Sequence, residues 1–228
     1  MAERPIIFSA PMVRAMLDGR KTQTRRVLPL AHPKFSHQNV LDPDMLVDKQ
    51  YVWFWDGVHD CVGASWPLPY APGDRLWVRE TWRPHYLGDG VWNLDVSYPA
   101  DGERRTICDG EFGDKDWNWP KAADRGNVTP LHMPRWASRL TLTVTDVRVQ
   151  RLQDISAKDS IAEGAHCRTC EAMGQSACHG RGCFASIDAY RCLWNSLHGP
   201  GAWDANPWVV ALTFTVQRGN IDQMPGAK

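Results

Sequence analysis

The chain has 228 residues, a length that allows a sizeable core and suggests one domain carrying insertions. Its 26 Lys and Arg residues balance 26 Asp and Glu residues, which excludes a strong basic or acidic field over the whole protein. Any attraction to nucleic acid must therefore be local. No segment reaches the ~18 apolar residues that cross a bilayer, and no secretory segment is recognisable. We expect a soluble cytoplasmic protein without a membrane partner.

The first predicted elements are a short strand over residues 5–9 and a helix that begins near Pro11. Gly19 is the expected end of this helix, because glycine readily adopts the left-handed conformation of a C-terminal stop. The next strand is predicted over residues 24–28. This arrangement puts Lys21 on the loop that leaves the helix.

Two long stretches lack a clear period and are interpreted as insertions. The first covers residues 29–70 and contains one hairpin candidate at residues 51–55, followed by an Asp-Gly turn. The second covers residues 99–130 and is rich in Gly, Asp, Lys and Trp.

Between the insertions, residues 75–82 alternate in the manner of a strand. The alternation places Glu80 on the same face as the apolar residues Leu76 and Val78. Arg75 and Arg79 face the other way, so a surface ion pair between Glu80 and either arginine is disfavoured. A carboxyl group on an apolar face is a candidate for a pocket.

The C-terminal half predicts further strands and two helices. Strand-like runs occupy residues 138–152, a capping box at Ser156 opens a short helix, helical spacing covers residues 187–197, and a last strand follows at residues 208–216. Short strands with few helices predict the α+β class, as a small, partly closed, mixed β-barrel with flanking helices.

The most informative segment is residues 19–26, Gly-Arg-Lys-Thr-Gln-Thr-Arg-Arg, which concentrates four cations and two hydroxyls in a chain of zero net charge. Together with residues 73–82 it resembles the ASCH family, a branch of the PUA-like barrel superfamily, whose pattern is Gly-x-Lys-x-x-Thr-x-Arg. The likeness covers roughly half of the chain. Residues 133–139 and 203–208 resemble the longer members that phages and prophages encode.

The resemblance implies a fold and an activity. Small bacterial relatives remove the acetyl group from N4-acetylcytidine with a lysine and a threonine of the motif and a glutamate on a later strand, and Lys21, Thr24 and Glu80 match these positions. No cofactor is then required for catalysis, and the partner is an N4-acylated cytidine nucleoside. The residues expected to bind this substrate are Arg20, Arg26, Trp77 and Trp82.

Several interpretations of this segment remain open. Thr24 can attack the amide after Lys21 takes its proton, or a charged Lys21 can stabilise the oxyanion while Thr24 or a water attacks. Without a partner segment, the four cations would simply form a solvated basic turn. At the level of function, the alternatives are a PUA-like module that binds RNA or a modified base without catalysis, and a ribonuclease.

Residues 165–185 form a cysteine-rich loop, whose four thiols suit either of two interpretations. Spacing of this kind is compatible with one tetrahedral structural zinc, and a reduced loop with free thiols is equally acceptable. Four protein ligands would leave no open position for catalysis. The candidate ligands are Cys167, Cys170, Cys178 and Cys183.

The zinc interpretation predicts a stoichiometric metal. Protein purified without chelator should contain one zinc per chain by elemental analysis, and Cys170→Ser should lower that content because it removes a ligand. Cys192→Ser, outside the loop, is the matched control. Zinc-free protein with freely titratable thiols would establish the reduced loop instead.

Overall fold

The computed structural model describes residues 1–28, 51–55, 62–86, 94–107, 126–165 and 184–224. Within these ranges the chain is of the α+β class, mostly sheet with few helices, as the sequence predicts. The helices are α1 (Ala10–Leu17), α2 (Ala157–Ala162) and α3 (Phe184–His198). None of the described helices is long and apolar enough to cross a bilayer.

The described strands belong to one large sheet, one hairpin and one small sheet. In chain order they are β1 (Glu3–Ile7), β2 (Gln23–Val27), β3 (Tyr51–Trp55), β4 (Val62–Pro67), β5 (Arg75–Arg79), β6 (Arg83–Tyr86), β7 (Leu94–Ser97), β8 (Arg104–Ile107), β9 (Leu140–Arg151) and β10 (Trp208–Arg218).

The large sheet has the strand order β1–β5–β9–β10–β2. β1 runs parallel to β5, while β5–β9 and β10–β2 are antiparallel. β3 pairs with β4 in antiparallel fashion, as in the predicted hairpin, whose Asp-Gly turn lies outside the described residues. β6, β7 and β8 form an antiparallel sheet. Among the described strands the large sheet ends at β1 and β2 and does not close into a barrel.

Two element predictions differ from the structure in informative ways. The strand expected over residues 75–82 stops at Arg79, and Trp82 instead makes a bridge to Val128, so the chain leaves the large sheet there. The two runs expected in residues 138–152 form the single strand β9. Sequence period detects alternation within a strand, but the choice of pairing partner decides where the strand ends.

Helix boundaries follow the predicted signals closely. Gly19 adopts φ 71°, the left-handed conformation expected after α1. The hydroxyl of Ser156 accepts a hydrogen bond from the Asp159 backbone N–H at 3.0 Å, so the predicted cap of α2 is present.

The described residues cluster in two compact units. The first lies within residues 1–19, 73–143 and 215–228, and its core contains Trp82, Val96, Tyr98, Ile107, Val128, Met133 and Ala137. The second lies within residues 20–72 and 144–214, and its core contains Leu152, Ile155, Ala165, Tyr190, Trp194, Trp203 and Val209. Each unit also buries a cluster of charged side chains.

Leu212 is a core residue next to the basic motif: it is fully buried in β10 and lies opposite Thr24 in the β10–β2 register. We predict that Leu212→Ala lowers the free energy of unfolding by about 2–5 kcal/mol, the usual cost of such a core truncation. Leu131→Ala, at a position 62% exposed, should cost less than about 0.5 kcal/mol. Urea denaturation of both variants tests this, and equal losses would contradict it.

Candidate functional site

Lys21 lies between α1 and β2 and is completely buried. Its ammonium group donates three hydrogen bonds of 2.8 Å each, to the backbone oxygens of Gln23 and Glu163 and to Glu163 Oε2. An ammonium group has three protons and all three are used, so the side chain is held in one position. The ion pair with Glu163 compensates a charge that would otherwise be very costly to bury.

The partner of Lys21 lies at the C-terminal end of α2. Glu163 is the C-cap residue of this helix, and Gly164 follows in the left-handed conformation with φ 82°. The Thr22 backbone N–H donates to the oxygen of Ala162 at 2.8 Å, while Lys21 satisfies that of Glu163. The loop before β2 thus supplies two donors to carbonyl groups at the end of a helix, where intrahelical partners are lacking.

Arg25 binds the other oxygen of the same carboxylate. Its Nη1 donates to Glu163 Oε1 at 3.1 Å and to Gln23 Oε1 at 2.6 Å, and its Nη2 donates to Asp159 Oδ2 at 3.2 Å. The guanidinium also lies over the ring of Tyr190 in α3, 6.0 Å from its centroid. Glu163 is therefore a carboxylate shared by two buried cations. We call Lys21, Arg25, Asp159 and Glu163 the lysine cluster.

Burial governs the electrostatics of this cluster. Burial lowers the pKa of Lys21 below its usual value, the carboxylate of Glu163 opposes this, and the positive charges of Arg26 and Arg25 add to it. Burial, followed by the nearby charge of Glu163, raises the pKa of Tyr190 well above its usual value. Perturbed groups of this kind concentrate at functional sites, although structural ion pairs also produce them.

The remaining predicted residues of the motif lie around this cluster, in the same compact unit. Thr24 is 2% exposed in β2 and, by strand alternation, faces away from Gln23 and Arg25. Arg20 and Arg26 are partly exposed. Burial lowers the pKa of Arg26, and Tyr70 and Glu163 are among the groups that oppose this shift.

Glu80 belongs to the other unit and follows β5 directly; it is 1% exposed, so its predicted burial is confirmed. Its two carboxylate oxygens accept from Arg139 Nε and Nη2 at 2.8 and 2.9 Å, a bidentate pair. Arg139 also binds Asp101 and Glu103 through Nη1 and lies 4.1 Å from the centroid of the Tyr98 ring. Burial raises the pKa of Glu80, and Arg139 opposes this shift.

The two tryptophans predicted to contact substrate are core residues of the first unit. Trp82 is fully buried and meets Trp136 edge to face, with ring centroids 5.7 Å apart. Trp77 is 6% exposed, and the Arg79 guanidinium lies 4.8 Å from its ring centroid. Protein atoms therefore cover most of both rings.

The structure brings Lys21 against Glu163, and Glu80 against Arg139. Sequence reasoning identified neither partner. A signal for Glu163 was present, because an acidic residue at a helix C-terminus is electrostatically unfavourable unless a cation lies nearby. Arg139 carried no comparable signal, since β9 pairs with β5 through contacts remote in sequence.

The four candidate zinc ligands lie outside the described residues. Among the residues that the structure does describe, no group of three or more His, Cys, Asp or Glu side chains is arranged to hold a metal ion. The zinc prediction therefore depends on metal analysis.

The Glu80–Arg139 pair yields a pH-dependent prediction. Arg139→Met leaves Glu80 buried without its partner, which should cost about 3–5 kcal/mol of unfolding free energy at neutral pH. Losing Arg139 raises the pKa of Glu80 further. A carboxyl group whose pKa is raised in the folded protein contributes stability below its pKa in the unfolded chain, here 4.5. That stability is lost as pH rises. The deficit relative to wild type should therefore grow as pH rises above 4.5.

This expectation is tested by measuring unfolding free energies from pH 4 to pH 8, roughly the range over which carboxyl groups with raised pKa values titrate. The control is the double variant Glu80→Gln/Arg139→Met, which should recover stability at neutral pH because it removes the buried carboxyl. A deficit that does not change with pH would contradict the assignment.

No family model matches this chain. No curated protein sequence matches it, and no solved structure matches its fold.

Proposed function

We propose that this chain is an amidohydrolase that removes the N4-acyl group, acetyl in the simplest case, from N4-acetylcytidine or a related N4-acylated cytidine nucleoside. The proposal combines the resemblance of residues 19–26 and 73–82 to ASCH proteins with one structural observation. That observation is the burial of the basic motif, in which Lys21 is 0% exposed and Thr24 and Arg25 are 2% exposed.

Burial of the motif argues against a purely solvated turn. A basic turn that served only solubility would keep its cations in water, where they cost nothing to maintain. Here Lys21 and Arg25 share one carboxylate away from solvent, an arrangement that is often no more stable than apolar packing. A buried, charge-compensated cluster in the same motif as Thr24 is consistent with a chemical role.

The proposed reaction begins with attack of the Thr24 hydroxyl oxygen on the acyl carbon, while the hydroxyl proton passes to the Glu80 carboxylate. The acyl C–N bond then breaks, and the cytosine N4 takes up a proton. Water hydrolyses the resulting ester, which releases a carboxylate and restores Thr24. In the PUA-like architecture that the resemblance implies, Glu80 is the proposed group that takes this proton and delivers it to N4; it is a carboxylate paired with Arg139, and burial raises its pKa, which favours holding a proton.

The contacts of Lys21 favour one of its two proposed roles. A general base needs a free lone pair, whereas all three protons of this ammonium are donated to oxygen atoms. Lys21 therefore fits better as a fixed positive charge that stabilises the oxyanion than as the base that activates Thr24.

The full hydrogen bonding of Lys21 also favours a second candidate function, a module that binds a modified base or RNA without catalysis. A lysine that is fully buried and fully hydrogen-bonded can act as a structural anchor for β2. Recognition would then fall to Arg20 and Arg26, which are partly exposed. Binding dominated by phosphate contacts weakens steeply with salt, whereas hydrolysis of a nucleoside needs no phosphate.

The test is direct. Purified protein is incubated with N4-acetylcytidine, and release of cytidine is followed by chromatography. Thr24→Ala and Lys21→Ala should each lower kcat/KM at least ~100-fold, since they remove the nucleophile and the charge that stabilises the oxyanion. Thr22→Ala and Lys158→Ala are matched controls at exposed side chains and should retain turnover.

A further comparison separates concerted from independent roles. Lys21→Ala/Thr24→Ala should be scarcely slower than the slower single variant if the two residues act as one unit. Near-normal turnover by Thr24→Ala would remove the nucleophile role. Binding of the nucleoside without cytidine release would favour the binding module, and binding of RNA with a strong salt dependence would identify its ligand.

A further inference from the structure

The small sheet formed by β6, β7 and β8 has one face covered by polar side chains. Residues two apart on a strand point to the same side of a sheet, and the pairing register aligns such residues across all three strands. Two rows result, with Arg83, Ser97 and Arg104 in one and His85, Asp95 and Thr106 in the other. Val96, which points to the opposite side, is fully buried in the core of the first unit. The polar face is therefore directed away from that core.

Two arginines occupy the ends of the first row. Arg83 lies on β6 and Arg104 on β8, and both are exposed. Neighbouring strands lie about 4.8 Å apart, so the two backbones are roughly 10 Å from each other, a gap that two long side chains can close from both sides. In the part of the chain that the structure describes, neither guanidinium forms an ion pair. Two cations thus flank the centre of the row.

Ser97 occupies that centre and is held by its neighbours. Its Oγ lies 2.8 Å from Nε2 of His85 and 3.5 Å from the backbone oxygen of Arg83. Burial lowers the pKa of His85 below its usual value, and the positive charges of Arg104 and Arg83 lower it further. The charge of Asp95 opposes this shift. Both guanidinium charges therefore act on the ring that contacts Ser97.

Asp95 is the one acidic residue in the two rows. Its Oδ1 accepts a hydrogen bond from the hydroxyl of Thr106 at 2.6 Å, within the second row. Two arginines against one carboxylate leave the face with a net positive charge, in a chain whose formal net charge is zero. Such a local excess of positive charge attracts anions.

We infer that the row of Arg83, Ser97 and Arg104 binds the phosphate group of a phosphate monoester. Two guanidinium groups match the roughly two negative charges that such a group carries near neutral pH. The planar fork of each guanidinium also suits phosphate oxygens, which it can bind through two hydrogen bonds. When His85 donates its Nε2 proton to Ser97, the serine hydroxyl is free to donate to a third oxygen.

The inference is independent of the proposed amidohydrolase, because none of the three residues belongs to the basic motif or is assigned a role in the proposed reaction. It gives the first unit a binding role of its own.

The first test needs no ligand. Protein labelled with ¹³C at the histidine Cε1 is titrated by NMR, and the His85 resonance is identified as the one missing from His85→Gln. Arg83→Gln and Arg104→Gln should each move the His85 midpoint to higher pH, because each removes a positive charge that acts on the ring. Arg4→Gln, at an exposed arginine of β1, should leave the midpoint in place. An unchanged midpoint in either sheet variant would overturn the inference, because the two charges would not meet at Ser97.

The second test adds a ligand at constant ionic strength. Cytidine 5′-monophosphate and cytidine differ only in the phosphate group, so they are matched probes. The monophosphate should raise the His85 midpoint, because a bound anion stabilises the imidazolium form, while cytidine should not. Arg83→Gln/Arg104→Gln should weaken this binding at least ~10-fold, and Arg4→Gln should bind as wild type does. Undiminished binding by the double variant would place the phosphate elsewhere and reject the site.

Two further probes identify the form of phosphate. Inorganic phosphate should reproduce the effect on His85, because the row contacts the phosphate group alone. An oligocytidylate without a terminal phosphate should bind less tightly than the monophosphate at equal phosphate concentration, since each of its phosphates carries a single charge. Tighter binding of the oligonucleotide, with a steep salt dependence, would reject the monoester and assign the face to a nucleic-acid backbone.

Discussion

The second unit depends on one constraint, the compensation of a positive charge that is completely removed from water. Lys21 can be buried only if each of its three protons meets an oxygen atom and its charge meets an anion. The end of α2 supplies a carbonyl and a carboxylate from the same residue, Glu163. Lys21 and Arg25 thereby tie the end of α2 to the segment that contains β2, the strand that carries Thr24.

The first unit also buries a positive charge, and it compensates that charge with a guanidinium–carboxylate pair. Arg139 is planar, so it can bind Glu80 through two parallel hydrogen bonds and still lie against the ring of Tyr98. Asp101 and Glu103, which are more exposed than Glu80, accept hydrogen bonds from Nη1 of the same guanidinium. Three carboxylates around one guanidinium leave this cluster net negative, whereas Lys21 and Arg25 are balanced by Glu163 and Asp159.

These partners change how the proposed activity is understood. The motif resemblance connects Lys21 with Glu80, while the contacts of the second unit connect Lys21 with Glu163. A lysine that donates all three protons acts through its charge, so the positive charge of Lys21 becomes the central element of the proposed mechanism. Glu163 and Arg25 are then as important for that charge as the motif residues themselves.

The sequence by itself determined the local features. Period, caps and glycine positions predicted α1 with its stop at Gly19, the cap of α2 at Ser156, and the burial of Glu80. These signals are local because each depends on residues within a few positions of one another. Only the tertiary structure decided which partner each buried charge receives. Glu163 follows Lys21 by 142 positions and Arg139 follows Glu80 by 59, and no local pattern encodes contacts that strand pairing creates at such separations.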